Sequence, residues 1–407
     1  MSQSEITQKI QAYMEKLTEE ITNRHPGTIG NYAATDFFAQ TIASFGFETQ
    51  KQQFDCIDWE WGEVILTVGD EAFQAYVGSY SLPFDGLGQL VSAGTIAELE
   101  NADITGKILL LHSELAKEQI MPKNYPFYNP VEHQQLVSLL ERGNPLAIIA
   151  ATTRNPQLAG GKYPYSLFED GNFNIPSVFM TAEEGARLKR HQGATVNLQF
   201  ESQRIASFGC NVIARKGRNR PGRIVFCAHI DTKKETPGAL DNAAGVATLL
   251  ALAEILANYN GELGLEIVAF NGEDYYAASG EVRYLEQNSQ ILNQILLAVN
   301  LDALGYIKGK TAFSLYGCDT KLANIVQDSL KPEYQFTKGE PWPQSDHMVF
   351  AINQVPAVAV TSEYLMEITT NITHTAKDEL KMVDCSKLCD AAFALSELFN
   401  NLVRANQ

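Results

Sequence analysis

No apolar stretch in this chain approaches the ~20 residues needed to span a bilayer, and the start, MSQSEITQKIQAYMEK, has neither the basic patch nor the apolar run of a signal peptide. A cytoplasmic location is therefore expected. Cysteine is sparse and scattered: Cys56, Cys210, Cys227, Cys318, Cys385 and Cys389 form no CxxC pair. A thiolate metal cluster is excluded, and without an export signal the thiols are expected to be free. Cys385 and Cys389 stand four apart in a helical pattern and read as packing residues. Positive charge is also scarce, with 31 Lys and Arg against 48 Asp and Glu, a net charge of −17. A field of that sign repels phosphate, so neither nucleic acid nor an anionic membrane surface is expected as a partner. There is no internal repeat and no low-complexity linker. What remains is a globular composition, 45% hydrophobic and 19% charged over 407 residues, enough for two or three domains.

Residues 4–24 carry a helical stripe of Ile6, Ile10, Tyr13, Met14, Leu17 and Ile21. RHPGTIGN follows as a turn region. A second helix is expected over 32–45, closed by Gly46 in the position after the C-cap. A strand is expected over 48–54. From about 64 the texture changes to short β-like runs at 64–68, 73–77, 107–111, 147–151, 177–180 and 195–200, with one helix at 131–142. His112, His133 and His191 fall here, without patterned partners, and read as structural or surface groups. From 211 strands and helices alternate: strands at 212–215, 223–228, 265–270, 294–300 and 355–360, helices at 242–258, 275–288, 322–330 and 386–405. Unbroken apolar strands imply burial on both faces. The expected class is α/β, an open mixed sheet with helices on both faces, with an α+β module inserted.

In such sheets ligands bind beyond the carboxyl ends of the strands. The run IVFCA ends in His229-Ile-Asp231, and ten residues on Asp241 opens a helix of small residues. The next strand runs into Asn271-Gly272-Glu273-Asp274, the next into Asn300-Leu-Asp302, and the last leads towards Thr373-His374-Thr375. Each has an ordinary reading alone. Asp241 could cap its helix, Glu273 and Asp274 could be acids of a helix's first turn, Asp302 could be a turn residue, and His374 could be structural. Together, two imidazoles and three carboxylates make a two-metal set, one carboxylate shared and one His plus one carboxylate for each ion. Mixed imidazole and carboxylate ligands suit Zn2+, with Mn2+ or Co2+ as possible substitutes.

HID, DNAAGV, NGED, NLD and SDHMVF–ITHTAKD, in this order, resemble the co-catalytic zinc aminopeptidases of the aminopeptidase Y, aminopeptidase S and bacterial leucyl aminopeptidase type. ITGKILLLHSE, NPLAIIA and IPSVFMTAEEGARLK look like the protease-associated domain often inserted in them. The resemblance implies N-terminal helices of the catalytic domain over 1–62, the insert over 63–205 and the catalytic domain over 206–407. It implies a zinc exopeptidase-like α/β/α sandwich that releases N-terminal residues from peptide substrates.

By that resemblance His229, Asp241, Asp274, Asp302 and His374 hold two Zn2+, with Asp241 bridging. Glu273 is the general base for a metal-activated water, and Asp231 orients the His229 ring as a carboxylate–His–zinc relay. Asp346 and His347, in the SDH motif, support the site from behind. Asp241 is expected both to bridge and to start its helix. Two positions depart from the family pattern. Asp274 stands where Glu is common, and Thr373 stands where a Tyr often precedes the last His, so the oxyanion stabiliser is unassigned; Tyr275 and Tyr276 read mainly as packing. Trp342 and Phe350 could line an apolar pocket, though core packing suits them better. A glutamate-type carboxypeptidase is the alternative, needing a basic cluster from Lys233, Lys234 and Arg283. A single-metal glutaminyl cyclase and a non-catalytic receptor-like protein on this scaffold are the others.

Overall fold

The computed structural model describes residues 2–156, 158–219 and 222–406. The chain forms two compact units. The first comprises Met1–Cys56, Phe208–Ile368 and Ile372–Gln407; the second comprises Ile57–Ser207 with Thr369–Asn371. The chain passes from one to the other within two long strands, Glu48–Val68 and Thr195–Lys216.

The sheet of the first unit has four parallel central strands, in the spatial order Ala357–Ser362, Ile295–Leu301, Arg223–His229 and Gly264–Phe270. Antiparallel strands flank them, Thr311–Tyr316 on one side and the end of Thr195–Lys216 on the other. Arg223–His229 and Gly264–Phe270 are buried at every position, as their apolar runs predict. From Arg223–His229 the chain moves one strand outward to Gly264–Phe270, then crosses back to Ile295–Leu301 on the opposite side. That reversal leaves a crevice at the carboxyl ends of the strands, where open α/β sheets take their ligands.

The stripe predicted over 4–24 forms the helix Gln3–Glu15 and a π turn, Lys16–Glu20. The second helix, Ile29–Ser44, ends at Gly46 with φ +77°, a conformation glycine adopts without a Cβ penalty. Gln3–Glu15, Ala244–Ile255 and Cys385–Ala405 contribute to the same core, which is rich in alanine at Ala243, Ala244, Ala247, Ala251, Ala391, Ala392 and Ala394. Small side chains let helices approach one another and the sheet closely. At Gly245 even a Cβ would lie 2.6 Å from the Leu301 carbonyl and 2.9 Å from the Ala228 Cβ.

The second unit has its own parallel ladder, in the order 90–93, 108–111, 147–152 and 177–181. Period-2 alternation divides these strands between two cores. Leu109, Leu111, Ile148 and Ala150 pack with Leu136 and Leu140 of the helix Val131–Gly143. Ile108, Leu110, Ile149 and Ala151 pack with Leu188 of Ala182–Lys189.

All six cysteines are free. Among the described residues no helix is long and apolar enough to cross a membrane.

Candidate metal centre

Four parallel strand ends converge here. His229 is the last residue of its strand, and Asp302 follows Leu301 directly. Glu273 and Asp274 lie in the turn after Phe270, and His374 in the stretch beyond Ser362. Asp241 sits between the two imidazoles: its Oδ1 is 3.2 Å from His229 Nε2 and its Oδ2 is 3.2 Å from His374 Nε2. Asp302 Oδ1 is 3.5 Å from His229 Nε2, and Asp274 Oδ1 is 3.1 Å from His374 Nε2. Each half therefore has one imidazole, one carboxylate of its own and one oxygen of Asp241. His229, Asp241 and Asp274 also form a group whose ligand atoms lie within 4.8 Å of one another.

The spacing fits a cation. Two ligands each about 2.0–2.1 Å from a tetrahedral zinc stand about 3.3 Å apart. His229 is fully buried, and its Nε2 has no hydrogen-bond partner among the described residues. The Nδ1–H donates to the Asp231 carbonyl at 3.2 Å, which aims Nε2 at the carboxylates. Asp274 offers the centre one oxygen, because its Oδ2 accepts the Lys233 N–H at 3.0 Å.

The structure changes the expected duties of two acids. The Asp231 carboxylate lies 3.8 Å from His229 Nδ1, too far for a hydrogen bond. It accepts instead from Gly272 N at 2.7 Å and Asp274 N at 3.0 Å, the amides on either side of Glu273. Its own backbone carbonyl holds the ring. Nor does Asp241 start the helix, which begins at Ala244. Asn242 does the capping, accepting Gly245 N–H at 3.0 Å and donating to the Leu301 carbonyl at 2.7 Å. With its carboxylate free of helix amides, Asp241 can give both oxygens to the imidazoles.

Charge in this pocket is strongly perturbed. Burial opposes a proton on His374, but Asp274 and Asp241 outweigh it and push this imidazole up to about 10. Burial likewise opposes charge on His229, yet Glu273, Asp241 and Asp302 hold it well above its ordinary value. Burial, and then repulsion by Asp274, Asp302 and Asp241, push Glu273 well up against the pull of His229. Such a concentration of carboxylates calls for a cation.

The support group is more acidic than expected. Asp346 is 1% exposed, and neither carboxylate oxygen has a hydrogen-bond partner among the described residues. Burial, then Glu281, push it well up; burial, then Asp231, push Glu281 up to about 7. His347 takes no part in the ligand cluster. Its Nε2 donates to the Trp342 carbonyl at 2.9 Å, and its ring lies 4.5 Å from Tyr316. Phe350 packs against Phe270 and Tyr284, as a core residue. Tyr275 and Tyr276 precede the helix Ser279–Asn288 and pack on each other at 4.5 Å. Of the scattered basic residues a carboxypeptidase would need to gather, Lys233 binds the Asp274 carbonyl at 2.7 Å and Arg283 pairs with Glu286.

Besides Glu281, two groups at the site went unnoticed in the sequence, Arg24 and Asp378. Both are buried. Asp378 accepts Leu240 N–H at 2.7 Å and Asp241 N–H at 3.0 Å. The ITHTAKD stretch contained that signal, whereas a single Arg in a turn region contains none.

Fold and site define an α/β protein with a candidate two-cation centre at the switch point of its sheet. Residues 211–399 match the profile of peptidase family M28. The chain is 28% identical over 316 residues to a probable lipoprotein aminopeptidase, LpqL, of Mycobacterium tuberculosis, a match covering 73% of this chain and 59% of that protein. The matched segment spans about three-fifths of the length of the curated relatives. Among solved structures, an aminopeptidase from Aneurinibacillus sp. strain AM-1 superposes with a TM-score of 0.77 at 20% identity, covering 98% of this chain and 95% of that one. The zinc aminopeptidase BSAP of Bacillus subtilis gives 0.76 at 18% identity, covering 97% and 95%. At these identities the likeness shows the fold.

Proposed function

We propose that this protein is a two-zinc aminopeptidase that removes N-terminal residues from peptides. The observation that carries the reading is Asp241, which gives one oxygen to each imidazole while each half has a carboxylate of its own. The family match over 211–399 and the aminopeptidase names of its relatives support it.

His229, Asp302 and Asp241 would hold one ion; His374, Asp274 and Asp241 the other. Bound zinc supplies positive charge that polarises a carbonyl oxygen and makes water easier to deprotonate. The protein's own contribution is placement and proton handling. Glu273 is not a member of either half-site; its Oε2 is 4.0 Å from His229 Nε2, and its side chain is 24% exposed, the most open of the group. A carboxylate open on one side and outside both half-sites would take a proton from the attacking water and return it to the leaving amine, as general base and then acid. The turn carrying it is held on both sides by Asp231. By resemblance, 63–205 is proposed as a protease-associated-like insert.

The test is a panel of aminoacyl-p-nitroanilides assayed with and without chelator, alongside metal analysis. Chelator-sensitive amine release with about two zincs per chain is expected. Two bound zincs with no amine release would remove the aminopeptidase reading and favour a non-catalytic scaffold; release from C-terminal glutamate substrates alone would favour the carboxypeptidase.

A further inference from the structure

Asp241 is reached through five residues, Pro237–Asp241, that belong to no strand and precede the helix Ala244–Ile255. Two residues distant in sequence hold every one of them. Arg24 is 1% exposed, and its guanidinium donates to the carbonyls of Pro237 at 2.9 Å and Gly238 at 2.8 Å. The same group donates to the Ile230 carbonyl at 2.9 Å and to that of Leu17. It thus ties the end of the first helical segment to both ends of the 230–238 loop. Asp378, 0% exposed, takes over where Arg24 stops. Its backbone carbonyl accepts Ala239 N–H at 3.1 Å, and its carboxylate accepts Leu240 N–H at 2.7 Å and Asp241 N–H at 3.0 Å. Two successive carbonyls are held by a cation and the next three amides by one acid.

Charge-assisted hydrogen bonds are the stronger ones, and buried groups that orient ligands set a centre's affinity. Asp378 also follows His374 by four residues, so one short segment supplies the second imidazole and fixes the backbone of the carboxylate that faces it.

We propose that Arg24 and Asp378 are positioning residues of the metal centre, holding Asp241 in register between His229 and His374. This rests on the two-zinc reading above. The chemistry they serve is the sharing of one carboxylate by two divalent cations.

The test uses the full-length protein stripped with chelator and titrated with Co2+ alone, followed by visible absorption, then with zinc against a chromophoric chelator. Asp378→Asn keeps the shape but turns a donor towards one of the two amides. Arg24→Lys keeps the charge but loses the fork that spans several carbonyls. Each is expected to weaken metal binding by about 10–100-fold and to alter the Co2+ spectrum. Their kcat should fall while KM stays within about twofold. Wild-type spectra and affinities in both variants, with only a lowered melting temperature, would make the two residues ordinary supports and overturn the proposal. Should Asp378→Asn fail to fold, Arg24→Lys decides alone. A wild-type protein that binds no metal would overturn the two-zinc reading instead.

Discussion

The carboxylate of Asp231 accepts the amides of the residues immediately before and after Glu273, from Gly272 at 2.7 Å and Asp274 at 3.0 Å. Asp231→Asn would turn an NH2 towards one of those N–H groups. We expect kcat to fall by about 10–100-fold while zinc content stays near wild type, because the His229 ring is held by a backbone carbonyl. Kinetics with metal analysis check this; parallel loss of zinc would return Asp231 to the imidazole.

Glu273→Gln removes an acid that faces His229 but belongs to neither half. Zinc binding should persist and kcat should fall by about 10²–10⁴-fold, the usual contribution of a positioned base. Metal analysis beside single-turnover kinetics separates the two effects. Retained turnover would end the assignment.

In the metal-free protein the His374 imidazole is raised from its ordinary 6.5 to about 10, burial opposing and Asp274 and Asp241 prevailing. A raised pKa contributes stability that is complete below about 6.5 and is lost as pH rises through about 10. The metal-free protein should therefore melt at progressively lower temperature across that window. Zinc displaces the same proton, so loading near pH 7.5 should release protons and apparent affinity should rise with pH. Calorimetry in two buffers of different ionisation enthalpy reads the release. No dependence on buffer would mean the imidazoles are already neutral.

Gly238 has φ +60°, and a Cβ there would stand 2.3 Å from Thr232 Cγ2, 2.5 Å from the Asp241 carbonyl and 2.8 Å from the Arg24 guanidinium. Gly238→Ala should cost about 1–3 kcal/mol from the backbone conformation alone, more with the clash, and should weaken metal binding. Thermal melts with and without zinc check it. An unchanged zinc-dependent shift would show that the loop can move without disturbing Asp241.

The parts of the centre legible beforehand were those at strand ends. An apolar run that ends in His or Asp announces both the strand and its edge, which gave His229 and Asp302; Asp241, Glu273, Asp274 and His374 were gathered from the loops that follow the strands. Two strands were overlooked: Phe84–Ala93, interrupted by Gly86 and Gly88, and Thr311–Tyr316, whose following acid, Asp319, caps the next helix. The helix expected from Tyr275 starts at Ser279, after Ala278 at φ +46°. Arg24, and the duty of Asp378, were illegible for another reason. Their work is done on backbone carbonyls and amides, which carry no residue identity, and only the fold brings 17–24, 230–241 and 378 together. The same holds for Asp231, whose place beside a histidine suggested a ring contact while its carboxylate spans the neighbouring turn.

Asp241 shares its carboxylate with an imidazole that lies well downstream of it in the chain. During synthesis His229, Asp241 and Asp302 leave the ribosome before His374 and Asp378. A nascent chain would therefore carry one half of the centre, with the bridging acid still unlatched, until the segment with His374 and Asp378 emerged. Under the proposed activity, a growing chain would not be a peptidase before that segment had left the ribosome.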